Sequence, residues 1–232
     1  MGARDRQPEV TMVVRSDWRI GPSALEMTAA PATAAMAAAA ESLQSSVELV
    51  LGAGGGVLSD DQRQLLETGW RNGRRLLSLI DDLHTVALVE AGLYDVEWTT
   101  VDLRELVTRA AEAVWPVAHA TGKPLRIETD GPTHVIGAED VLERALEALL
   151  EYVVEHARRG GEIVVTVGAG SVSATYQASG PVSADDLPVA LADAVARLHG
   201  GEVVAGDETG AATLALALGG HAEEPARGRV IR

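Results

Sequence analysis

The chain has 232 residues, 47% of them apolar, which is enough to bury one or two cores, while a formal net charge of −15 and a single lysine, Lys123, argue against binding a nucleic-acid backbone. No apolar run approaches the ~18 residues a membrane-spanning helix needs, so a membrane receptor is not expected, and the absence of cysteine excludes disulfides and thiolate metal sites. The opening residues MGARDRQPEV lack the apolar core of a signal peptide, which makes a cytoplasmic location the expectation.

Residues 1–23 carry no assignable pattern. From Ala24 to Leu51 good helix formers dominate, Pro31 stands either near the start of that helix or at a kink in it, and the glycine-rich run at 52–56 ends it. Ser59 followed by Gln62 makes a capping box, and Asp60 and Asp61 put negative charge where the helix dipole favours it, so a second helix starts there. Along it Leu65, Leu76, Ile80, Leu83 and Ala87 recur at helical spacing, with Arg63, Arg71, Arg74 and Arg75 between them. Residues 24–93 therefore predict an antiparallel helical hairpin. Two such hairpins from two chains would form a four-helix bundle; a hairpin packed on its own domain satisfies the same pattern.

After Gly92 the periodicity becomes mixed. Val96–Thr100 alternates as a strand does, Asp102 caps the helical run LRELVTRAAEAVWPVAHA, and PLRIETD and THVIG predict two short strands. A helix comes next from Ala138 to about Ala157, then a hairpin of EIVVTVG and VSATYQAS, a helix through Leu198, and a closing strand pair. Residues 94–219 thus predict an α/β sandwich, a mixed sheet with three helices on one side, and 220–232 a tail outside the fold. The class is α+β.

In this order, the segments LIDDL with VEAG (79–83 and 89–92), GAEDVLERALEALLEYVVEHARRGGEIVVTV and ARLHGGEV resemble sensor histidine kinases, over roughly Val47–Leu218. The resemblance implies a dimerisation hairpin followed by a Bergerat-type ATPase domain. It also implies catalytic residues that this chain does not supply. The position implied for the phosphoacceptor histidine falls near Ala34, and no histidine precedes His84, which is followed by Thr85 and not by a carboxylate. The asparagine that the family uses to ligate magnesium aligns with Tyr152; the Asp-x-Gly-x-Gly adenine loop aligns with residues 178–182, where Ala178 replaces the carboxylate and Val182 the second glycine. The nucleotide lid has no counterpart between Ser183 and Leu191.

Together these residues lead us to expect a degenerate, pseudokinase-like member of a bacterial two-component system, with no catalytic, cofactor-binding or metal residue. It would be a homodimer whose partner is a response-regulator receiver or a histidine kinase, with no nucleic acid or membrane involved, and Arg63, Arg71, Arg74, Arg75 and Asp82 as the exposed partner-binding residues of the bundle. Two alternatives stay open. One is a phosphotransferase relaying phosphate between receivers through His84. The other is a sensor whose emptied cleft, lined by Tyr152, Ala178 and Val182, takes another small ligand. Asp60 with Asp61 and Asp185 with Asp186 are expected to cap helices, His199 to close a helix C-terminus, and His119, His134, His156 and His221 to lack ligand spacing.

Overall fold

A computed structural model describes residues 11–13, 22–53, 58–181, 183, 186–208 and 211–219. Two compact units divide the chain, Trp18–Tyr94 and a second formed by Met1–Asp17 with Asp95–Arg232.

The first unit is a hairpin of α1 (Pro22–Ala53) and α2 (Asp60–Ala91), with Pro31 inside α1. Both halves of the capping box form: the Ser59 hydroxyl accepts from the Gln62 amide at 3.3 Å, and Gln62 Oε1 accepts from the Ser59 amide at 3.0 Å. Gly92 ends α2 in the left-handed region at φ 68°, where glycine has no Cβ to clash. The seam between the helices is drawn from Thr33, Ala37 and Ala40 on α1 and from Leu77, Ile80 and His84 on α2. Of the apolar stripe expected on α2, Ile80 lies in this seam, whereas Leu65, Leu76 and Leu83, beside it at helical spacing, stay exposed.

In the second unit β1 (Thr11–Val13) is an edge strand for which the sequence carried no pattern; it pairs antiparallel with β7 (Glu202–Glu208). Then come β2 (Thr99–Asp102), α3 (Leu103–Ala120), β3 (Leu125–Asp130), β4 (His134–Gly137), α4 (Glu139–His156), β5 (Ile163–Gly168), β6 (Ser171–Tyr176), α5 (Leu187–Leu198), β7 and β8 (Ala211–Ala217). The main sheet runs β1-β7-β8-β6-β5-β3, parallel only between β3 and β5, while β2 and β4 form a separate two-stranded sheet. Alternation decides which face is buried: Ile163, Val165 and Val167, then Val172, Ala174 and Tyr176, then Leu214 and Leu216 all turn inward against the helices. Leu103, Leu106, Leu142, Leu146 and Leu149 complete the core from the helical side. Asp102 caps α3 as expected, accepting from the Arg104 amide at 3.0 Å, but the strand before it starts at Thr99, so Val96–Trp98 is an irregular approach segment.

Candidate functional site

The end of the α4–α5 layer is built around Tyr152. Helical spacing puts it on the buried face of α4 beside Leu149 and Val153, and it keeps 3% of its surface. Its hydroxyl donates to Asp186 Oδ2 at 2.9 Å and accepts from the Ser183 amide at 3.3 Å, while its ring stacks on His156, centroids 3.9 Å apart and 23° between planes. His156 Nδ1 lies 2.8 Å from the Tyr152 carbonyl. Burial is the main reason the Tyr152 phenol is pushed above its ordinary range, and the Asp186 carboxylate adds to it against the opposing Ser183 amide.

Asp186 occupies the N-cap position of α5 but makes no side-chain cap bond. Its carboxylate is turned to Tyr152 instead, which corrects its expected capping role; Asp185 and Val182 lie outside the described residues. Ala178 makes an isolated antiparallel bridge with Ala157, and Ser179 accompanies it, its amide donating to the His156 carbonyl at 2.8 Å. Beneath this, Tyr176 is 1% exposed, and its hydroxyl has no hydrogen-bond partner among the described residues; burial, and then the neighbouring Tyr152, drive its phenol well above the usual range. Sequence reasoning missed Tyr176, since an inward tyrosine on a strand reads as core.

On the hairpin the arginines are spread along α2. Arg71 donates to the Thr68 hydroxyl at 3.0 Å, Arg74 covers the Trp70 ring with its guanidinium carbon 5.1 Å from the centroid, and Trp70 Nε1 donates across to Glu48 of α1 at 2.9 Å. Arg71, Arg74 and Arg75 are exposed and Arg63 half-buried. Asp82 departs from expectation: it is only 3% exposed and so is not one of the exposed side chains of the hairpin. A carboxylate in a sequence reads as solvated, which is why its burial was not legible. His84 is not a bare surface histidine either. Its Nδ1 lies 3.1 Å from the Thr33 hydroxyl, and it lines a half-open hollow of about 310 Å³ with Glu41, Asp81 and seam residues.

The remaining histidines are dispersed, with His119 against Trp115, His134 exposed, and His221 outside the described residues. Among the described residues no group of three or more His, Asp or Glu side chains gathers as a metal site, and no helix is long and apolar enough to cross a membrane.

No protein-family model matches the chain. Over 130 residues, 55% of this chain and 12% of that protein, it is 26% identical to the cell-division control histidine kinase PdhS of Brucella anthropi. Over 184 residues, 68% of this chain and 31% of that protein, it is 26% identical to the histidine protein kinase DivJ of Caulobacter vibrioides. The chain therefore spans less than a third of the length of these relatives. Among solved structures it resembles full-length ShkA in complex with AMPPNP, with a TM-score of 0.63 and 21% identity over 87% of this chain and 47% of that one. It also resembles histidine kinase ThkA in complex with the response regulator protein TrrA, with a TM-score of 0.55 and 14% identity over 85% of this chain and 63% of that one. The fold is that of a histidine kinase, a helical hairpin followed by an ATPase-type α/β sandwich, and the chain is homologous to histidine kinases.

Proposed function

We propose that this chain is a histidine-kinase-like signalling protein that works by binding and not by turning over ATP: a homodimer formed through the helical hairpin that docks a two-component partner, a response-regulator receiver or a kinase. The observation that carries the first half is the closure around Tyr152. Magnesium needs several oxygen ligands around it. Here the position aligned with the family's metal-ligating asparagine holds a phenol whose one oxygen is already engaged by Asp186 and the Ser183 amide. The aligned adenine carboxylate is a methyl group, Ala178, and only residues 177–186 separate β6 from α5, too few for a nucleotide lid. These residues do not fit a magnesium nucleotide.

The second half rests on the hairpin's outer faces. Met36, Leu43 and Val50 recur every seven residues on α1 and keep 50, 68 and 46% of their surface, and on α2 Leu65, Leu76, Leu79 and Leu83 are likewise exposed. Apolar lines of this length on both helices call for a cover, and a second hairpin supplies one of matching shape. The complex of the similar kinase ThkA with a response regulator supports a receiver as the partner class, with Arg71 and Arg74 as the exposed charges to meet it.

Calorimetry with Mg-ATP on the full chain tests the reading. No heat of binding is expected up to millimolar nucleotide, and a dissociation constant in the micromolar range overturns it. Charge reversal at Arg71 and Arg74 together is expected to weaken receiver capture, and His84→Ala to leave it intact.

A further inference from the structure

We infer that the junction of β4, α4 and α5 is an acid-sensitive clasp, with the His199 ring as its moving part, which holds the approach segment Asp95–Trp98 that comes after α2 in the chain. The ring is 1% exposed. Its Nδ1 stands 2.7 Å from the Val195 carbonyl, which can only accept, so Nδ1 carries the proton; Nε2 keeps its lone pair and accepts the Ala138 amide proton at 3.0 Å. The tautomer is fixed by its two partners.

The contact matters because of what α4 lacks. Ala138, its N-cap, makes no side-chain cap bond, and Val141, at the position that completes a capping box, has no polar atom. His199, 61 residues away in the chain, accepts the N-cap amide for α4 as Gln62 does for α2. The neighbouring Gly137 is shaped to the ring: a Cβ there would stand 2.6 Å from Leu142 Cδ1 and 3.3 Å from His199 Nε2. Trp98 packs edge-on against the imidazole, centroids 5.1 Å apart and 70° between planes, so the ring ties the approach segment to both helices.

An imidazolium has no lone pair. Protonation at Nε2 would set two N–H groups against each other and leave a charge where water is excluded, so the ring must swing out. The ionisable groups that these elements bring to this end are Asp95 and Glu97 on the approach segment, Glu139 and Asp140 in the first turn of α4, with Glu139 paired to Arg109 of α3 at 2.8 Å, His134 on β4, and Asp193 with Arg197 on α5. The last two pair at 3.0 Å. Asp95, Glu97, Glu139 and Asp140 line one open hollow, an acidic surround that favours the charged ring once it is released. Because only the opened chain binds the extra proton, the clasp weakens progressively as pH falls below about 6.5, the range in which free imidazole takes up its proton.

Amide hydrogen exchange followed by NMR on the full chain, from about pH 7.5 down to about pH 5, tests this in the range where imidazole titrates. Corrected for intrinsic rates, protection of the Ala138 amide is expected to fall at least about tenfold, roughly 1.4 kcal/mol, while the core amides of Leu146 and Leu149 keep theirs. The Trp98 indole resonance is expected to shift in step. In His199→Gln, which cannot titrate, the step is expected to vanish. Unchanged Ala138 protection in the wild type across the range overturns the proposal, as does the same step in His199→Gln; should that variant not fold, the wild-type measurement decides.

Discussion

In the α/β unit the helical Leu103, Leu142 and Leu146 keep no exposed surface at all, whereas on the helical hairpin Leu43, Leu65 and Leu83 keep 68, 74 and 43% of theirs. The two regions use the same residue type at similar helical spacing with opposite outcomes. A sheet backed by three helices covers its own apolar faces. A two-helix hairpin has one seam, and whatever lies on its other faces is left for something else to cover. The α/β unit thus closes its own core, whereas the hairpin leaves apolar side chains uncovered, and the proposed dimer contact rests on them.

Core truncation in the α/β unit should have the largest effect. Leu146→Ala is expected to cost about 2–5 kcal/mol, read as a lowered denaturant midpoint, because it empties space between helices and sheet that cannot refill. A loss below about 1 kcal/mol would mean that the unit is looser than its burial implies.

On the hairpin the expected outcome is separation of assembly from folding. Leu83→Asp should shift the mass in light scattering from a dimer to a monomer of about 24 kDa, with helix content retained and dimer affinity lowered by about 3 kcal/mol or more. Ile80→Asp is a poor probe of the dimer, since Ile80 lies in the seam within one chain and its replacement disrupts the hairpin itself. A wild-type chain that is monomeric at micromolar concentration would remove the contrast.

A smaller, opposite effect is expected at Tyr176. Its hydroxyl is buried without a partner among the described residues, so Tyr176→Phe should stabilise the α/β unit by about 1–2 kcal/mol by removing an unsatisfied polar group. Destabilisation instead would show that the hydroxyl is engaged in solution. The smallest effect concerns Asp102, whose carboxyl is held below its ordinary range by the Thr133 hydroxyl first and the Arg104 amide as well. A depressed carboxyl contributes stability above its unfolded value and loses it as pH falls, so Asp102→Ala should be less stable than wild type at neutral pH and converge with it below about pH 4.

The reach of the sequence divides along a similar line, between local and distant causes. Helix starts and strand alternation were legible because they are local: Ser59 with Gln62, Asp102 before Leu103, and the inward Val165, Val167 and Val172 are each set by neighbours along the chain. Features that depend on distant partners were not. Asp82 is buried, Asp186 serves Tyr152 in place of its own helix, Thr33 meets His84 from the other side of the hairpin, and Thr11–Val13 find their place only against β7. Tyr152 was legible as a departure from the pattern the resemblance implies, but its setting, a phenol stacked on His156 and tied to the start of α5, needed the fold.

Whether the hairpin binds a signalling partner without carrying phosphate itself is decided by incubating the chain with a radiolabelled phospho-receiver and tracking the label. The label is expected to stay on the receiver, with the two proteins nonetheless co-purifying. Acid-labile phosphate appearing on this chain and lost in His84→Ala would contradict a purely binding role, and would make the hairpin a relay.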